Sequence, residues 1–212
     1  MASSIEGRGS SRRDRKKDKT RRDLLDTADE LFQRKGFEST TLEEICEGAG
    51  ISLRTFFRYF ESKRDLALYE SLRNIARLRD AVARVKTPCE ALDEIETLYD
   101  FMAMELEHDE KARRRLFVMA GEPTLSGRSL VLDLDTEGCI AAALGGSGST
   151  SAGFDAQMLA VMIVGGVRRV VMDWISQHGR SSLREGIARV FSAARRSGLL
   201  ADANAPTPPT NI

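Results

Sequence analysis

The sequence predicts an all-α fold: an N-terminal three-helix helix-turn-helix domain joined to a larger helical domain. Three observations carry this. Apolar residues recur at three- and four-residue spacing from Leu24 almost to the C-terminus. Helix-start signals, a Ser or Thr followed three residues later by an acid, stand at Thr41/Glu44, Ser62/Asp65 and Thr87/Glu90. No alternating strand pattern of useful length interrupts them.

Residues 1–19 read as a basic, disordered arm. Ile5-Glu6-Gly7-Arg8 has the form of a protease recognition sequence, so the first part of the arm reads as a cloning remnant. Thr20 and Asp23 are placed to cap a first helix carrying Leu24, Leu25, Ala28, Leu31 and Phe32 and stopping at Gly36. Thr41 and Glu44 start a second, with Leu42, Ile45, Cys46 and Ala49 on one narrow face. After a turn through Ala49-Gly50-Ile51, Ser52 caps a third helix from Leu53 to Phe60. Two short helices around a glycine-containing turn outline a helix-turn-helix over residues 20–66.

A helical body is expected over 67–201. Ser62 and Asp65 open a long helix through Leu66, Tyr69, Leu72, Ile75 and Leu78 towards Val85. Thr87, Pro88 and Glu90 start the next, with proline at the first helical position, where its missing donor costs nothing. Helices are then expected over 88–108, 110–120, 128–144, 154–178 and 181–198, divided by Gly121-Glu122-Pro123, the Gly/Ser stretch 145–153 and His178-Gly179. Residues 202–212, with three prolines, read as a disordered tail.

The composition narrows the function. Hydrophobic residues make up 42% of the 212, ordinary for a globular protein. Cys46, Cys89 and Cys139 are far apart and odd in number, and read as reduced core residues suited to the cytoplasm. No apolar run is long enough to cross a bilayer, so no membrane partner is expected. Two histidines, with no nucleophile elbow, metal spacing or nucleotide loop, give no catalytic constellation and imply no metal and no cofactor. Gly145-Gly146-Ser147-Gly148-Ser149 lacks the lysine of a phosphate loop and reads as a linker. Glu107-His108-Asp109-Glu110 has metal-binding atoms, but at a helix junction such charges are usually solvated.

The net charge of zero hides nine cations between Arg8 and Arg22 against Asp14 and Asp18, which leaves +7 there. That is either a solvated tail or an arm drawn to phosphates by counterion release. In the third helix Phe56 and Phe60, four apart, share the face that can anchor it, while Arg54, Thr55 and Arg58 project elsewhere. Arginine there can bond guanine O6 and N7 in a major groove. Lys63 and Arg64 lie in the first turn of a helix, where cations oppose its dipole. Either Asp65 or a DNA phosphate compensates.

The run from Thr20 to Tyr69 resembles the N-terminal domain of TetR-family regulators. The likeness rests on Leu24-Leu25-Asp26-Thr27-Ala28, Leu31-Phe32, Lys35-Gly36-Phe37, Thr40-Thr41-Leu42, Ile45-Cys46-Glu47-Gly48-Ala49-Gly50-Ile51-Ser52, Thr55-Phe56-Phe57-Arg58-Tyr59-Phe60 and Ser62-Lys63. It implies that Thr41, Thr55, Tyr59 and Lys63 touch the DNA backbone, and that Leu53, Arg54 and Phe57 approach base edges or backbone, next to Ser52 and Arg58. Phe57 stands where the family usually has tyrosine, so a phosphate-bonding hydroxyl is lost. Tyr59 stands where histidine is common. Specificity then rests mainly on Arg54, with Arg58 in support.

The resemblance also implies a cytoplasmic homodimer, a repressor released from a palindromic double-stranded DNA operator by a small hydrophobic effector. Two equivalent reading helices lie ~34 Å or a multiple of it apart on such a site. Tyr99, Phe101, Met102, Met104, Phe117, Met119 and Met158 are candidates to line the effector pocket; the bland alternative is ordinary core. The last two helices form the dimer interface in the family, which makes Met162, Gly165, Gly166, Val170, Trp174, Ile187 and Phe191 the candidates there, with intrachain packing the alternative. A different class remains open: a helical small-molecule-binding or scaffolding protein whose basic arm holds nucleic acid or anionic lipid without sequence preference.

Overall fold

The computed structural model describes residues 12–145 and 153–200. The described residues form ten helices and no strand. They fall into two compact units, which part after Tyr69. The first ten or so residues, most of the Gly/Ser stretch and the tail 202–212 lie outside the described residues.

In the N-terminal unit α1 spans Arg12–Lys35, α2 Leu42–Gly48, α3 Leu53–Phe56 and α4 Lys63–Ala67. The expected disordered arm is therefore helical from Arg12 onward. Thr20 is not a cap: its hydroxyl donates back to the Lys16 carbonyl at 3.0 Å, inside the helix. Arg and Lys are good helix formers, and no glycine or proline interrupts them before Gly36, so α1 extends upstream. Leu24, Leu25, Ala28, Leu31 and Phe32 face inward and are buried. Gly36, at φ +84°, ends the helix with its N–H on the Phe32 carbonyl.

Gly50, at φ +65°, makes the turn between α2 and α3. Helix α3 stops at Phe56 rather than running to Phe60. Past it, Arg58 N–H donates to Thr55 and Tyr59 N–H to Phe56, i to i−3 bonds that tighten the chain into turns. Phe56 and Phe60 nonetheless reach the same core, their rings 5.7 Å apart. The single long helix expected from Ser62 to Val85 is interrupted at Leu68 (φ −90°, ψ 6°). α5 then runs Tyr69–Val82.

The larger unit continues with α6 (Pro88–His108), α7 (Glu110–Ala120), α8 (Pro123–Leu144), α9 (Phe154–Ser176) and α10 (Leu183–Arg196). Pro123 starts α8 five residues earlier than expected, in the same role as Pro88. The acidic cluster at the α6–α7 junction is not merely solvated. Asp109 caps α7 by accepting from the amides of Lys111 and Ala112. Glu107 caps α10, its Oε1 accepting from Leu183 N–H at 2.6 Å and Arg184 N–H at 3.2 Å.

Helices α9 and α10 pack closely. A Cβ on Gly166 would meet Val190 at 2.9 Å, and one on Gly186 would meet Val170 at 2.5 Å. Trp174, Ile187 and Phe191 belong to the buried core of this chain. Trp174 also donates its indole N–H to the Ser181 carbonyl and packs edge-on against Phe117. Of the residues expected at a dimer interface, these three are therefore core, and Gly166 and Val170 serve the α9–α10 contact. Gly165 faces open space and Met162 is half-buried. The thiols of Cys46, Cys89 and Cys139 are free, but Cys89 is exposed rather than core. No described helix is long and apolar enough to cross a membrane.

Candidate nucleic-acid interface and effector cavity

The start of α2 is fixed by a reciprocal cap. Glu44 N–H donates to Thr41 Oγ1 at 3.2 Å, and Thr41 N–H donates to Glu44 Oε2 at 2.9 Å. Lys35, from the last turn of α1, pairs with the same carboxylate. The Lys35 ammonium, then the Thr41 amide and hydroxyl, hold the Glu44 carboxyl down at about 2. Thr41 Oγ1 lies 3.0 Å from that carboxylate and donates to it. Its proton is thus committed inside the cap.

Ser52 caps α3, accepting from Thr55 N–H at 3.2 Å, with the two hydroxyls 3.0 Å apart. The short helix is pinned from beneath by Phe56, and Phe60 packs edge-on against Tyr69. That burial leaves Leu53, Arg54, Phe57 and Arg58 outside, Phe57 with 55% of its surface exposed. An apolar ring and two guanidinium groups held outward on a rigid turn suit a groove that offers thymine methyls and guanine acceptors.

Tyr59 is half-buried beneath the Arg58 guanidinium, which lies 5.4 Å from its ring centroid. Burial raises the phenol's pKa, but hydrogen bonds with Thr20 and Arg58 and the charges of Arg58 and Lys17 outweigh it and bring it below its ordinary value. The surroundings of this hydroxyl favour negative charge. Lys17 and Thr20 are not legible as part of this cluster, because the sequence reads Lys17 as part of a disordered arm and Thr20 as a helix cap. The exposed cations Lys16 and Lys19 share their helix.

Lys63 is placed otherwise than expected. Its ammonium donates to the carbonyls of Phe37 (2.6 Å), Thr40 (2.7 Å) and Glu38 (3.3 Å), and lies 4.3 Å from the Phe37 ring centroid. An ammonium has three donors, and all are engaged. Backbone carbonyls of the α1–α2 loop thus offset a cation in the first turn of α4.

The larger unit holds a cavity of about 220 Å³ between α5, α6, α8 and α9. Tyr99 and Met102 line it. The other candidates do not. Phe101 and Met104 turn outward on α6, Met158 is exposed on α9, Phe117 packs on Trp174, and Met119 is half-buried elsewhere. Much of the wall is aliphatic, including Ile75, Leu98, Val167 and Val171. An ion pair that the sequence did not flag, Arg168 to Asp133 at 3.1 Å, borders it. The two residues are 35 apart in sequence, and each alone reads as an ordinary surface charge.

Three comparisons bear on this arrangement. TcmR of Streptomyces glaucescens, an HTH-type transcriptional regulator, is 47% identical over 60 residues, 28% of this chain and 26% of that protein. MftR of Mycobacterium tuberculosis, named for regulation of mycofactocin biosynthesis, is 25% identical over 183 residues, 85% of this chain and 92% of its own. In structure the chain is similar to SmeT of Stenotrophomonas maltophilia, with a TM-score of 0.63, 19% identity and coverage of 89% of this chain and 96% of that one. Only about a quarter of TcmR is spanned, and the likeness to SmeT is one of fold. Residues 24–69, which hold the cap, the turn and the exposed edge described above, match the family described as bacterial regulatory proteins, tetR family.

Proposed function

We propose that this chain is a dimeric repressor that occupies a palindromic operator and leaves it when a small, largely apolar molecule fills the cavity of the larger unit. The observation that carries the DNA part is the exposed edge of Leu53, Arg54, Phe57 and Arg58, backed by buried Phe56 and Phe60. Arg54 supplies base discrimination and Arg58 supports it. Thr55, Tyr59 and the cations of α1 face the backbone, which fixes register without reading sequence.

The dimer part rests on the outer stripe of α9, where Phe154, Met158 and Val161 are exposed and Gly165 leaves a smooth surface. A second copy covers this stripe and sets two reading edges against one two-fold site. The effector part rests on the apolar cavity, and SmeT has been seen in complex with triclosan. An effector acts only through its difference in affinity for the DNA-competent and incompetent states.

The experiment is selection of bound sequences from a random double-stranded pool at moderate salt. Enrichment of one palindrome is the expected outcome, and the spacing of its halves gives the separation of the reading edges. Binding that enriches nothing and disappears as salt rises instead marks a nonspecific phosphate-binding protein and overturns the operator reading.

A further inference from the structure

The cavity is not uniformly apolar, and the charged pair that borders it, Asp133 with Arg168, is lopsided. Asp133 on α8 keeps 25% of its side chain exposed, whereas Arg168 on α9 keeps 47%. Burial pushes the Asp133 carboxyl above the usual carboxylate range, and the charge and hydrogen bond of Arg168 offset only part of that. The carboxylate is the half of the pair held in the wall; the guanidinium is the half able to turn to water with its charge still solvated. Arg168 can be solvated again when it leaves, so exchanging it for another cation costs only the difference between the two ion pairs. Tyr99 lies in the same wall, near enough for Asp133 to oppose its ionisation, and presents a ring and a neutral hydroxyl.

We propose that the effector is a lipophilic cation, whose apolar part fills the aliphatic wall and whose protonated nitrogen displaces Arg168 from Asp133. This inference rests on reading the cavity as the effector site and adds the chemistry of the effector's head. Three head groups on one chain separate under it. A protonated amine gains a charge-assisted hydrogen bond to Asp133. An alcohol can donate to Asp133 but brings no positive charge to take the place of Arg168. A carboxylate reaches Arg168 by approaching Asp133 and is repelled.

The test is calorimetric titration of the full chain with n-octylammonium, octanol and octanoate. Octylammonium is expected to bind about tenfold more tightly than octanol, with octanoate weakest. Asp133→Asn removes the preference for the amine and leaves octanol unchanged. Arg168→Ala, which frees the carboxylate of its competitor, tightens octylammonium binding and gives a second reading should Asp133→Asn fail to fold. Octanoate binding most tightly, Asp133→Asn leaving the order of the three intact, or Arg168→Ala leaving octylammonium unchanged overturns the cationic head while the cavity stands as a site. Binding of none of the three overturns both.

Discussion

At the scale of single residues, two cations close together in sequence do opposite things. Arg54 stands free on the outer edge of α3, while Lys63 is bound into the loop between α1 and α2 by three carbonyls. The family resemblance implies contact with DNA for both, but the physical consequences of removing them differ. Lys63→Ala strands the partly buried carbonyls of Phe37 and Thr40 and should lower stability by ~1–3 kcal/mol. Arg54→Ala should leave the melting temperature unchanged and weaken operator binding by ~1–3 kcal/mol, with relaxed base preference. Thermal melting beside titration of operator and random DNA reads both. A Lys63→Ala protein that melts normally yet binds all DNA less tightly, with a salt slope reduced by about one, restores the phosphate role.

At the scale of elements, what was legible is what the chain encodes within a few residues. The caps at Thr41/Glu44 and Thr87/Glu90 are closed between residues three apart, so residue type and spacing suffice. Partners across the fold were not legible. Glu107 caps a helix that starts 76 residues later, and Lys63 closes a loop 26 residues back. Nor does apolar period tell which stripe of a helix meets its own chain: Trp174 and Ile187 went inward, while Val161 and Met158 stayed outside. Gly48 shows the same limit. A Cβ there would meet the Thr27 methyl of α1 at 2.6 Å, so the packing of α2 on α1 needs the missing side chain. Gly48→Ala gains helix propensity of up to ~1 kcal/mol but overpacks this contact by ~1–3 kcal/mol. A net loss is expected in urea unfolding, and Thr27→Ser, which removes the methyl, should restore stability in the double mutant. Equal losses in both backgrounds would show that the contact is not the cause.

At the scale of the whole molecule, the question is how a chain with a closed core carries so much uncovered apolar surface on one helix. Phe154 is 71% exposed, and Val161 and Met158 follow it along α9. Among the described residues the core of the larger unit is complete without them, and a stable pairing that covered them would bury ~1,200–2,000 Å² in total. The dimer proposed above would cover the stripe around Gly165 with a second copy, the symmetry that a palindromic site calls for. Val161→Glu should therefore leave the fold intact, because Val161 contributes little to the core, yet shift the solution mass from about twice 23.5 kDa to that value. Operator affinity should fall with it, since each half-site is then bound alone. Leu72→Glu, at a similarly exposed position on α5, should change neither mass nor affinity. If Val161→Glu stays dimeric, the copies meet elsewhere, and exposed Leu130 and Leu134 of α8 become the residues to charge next.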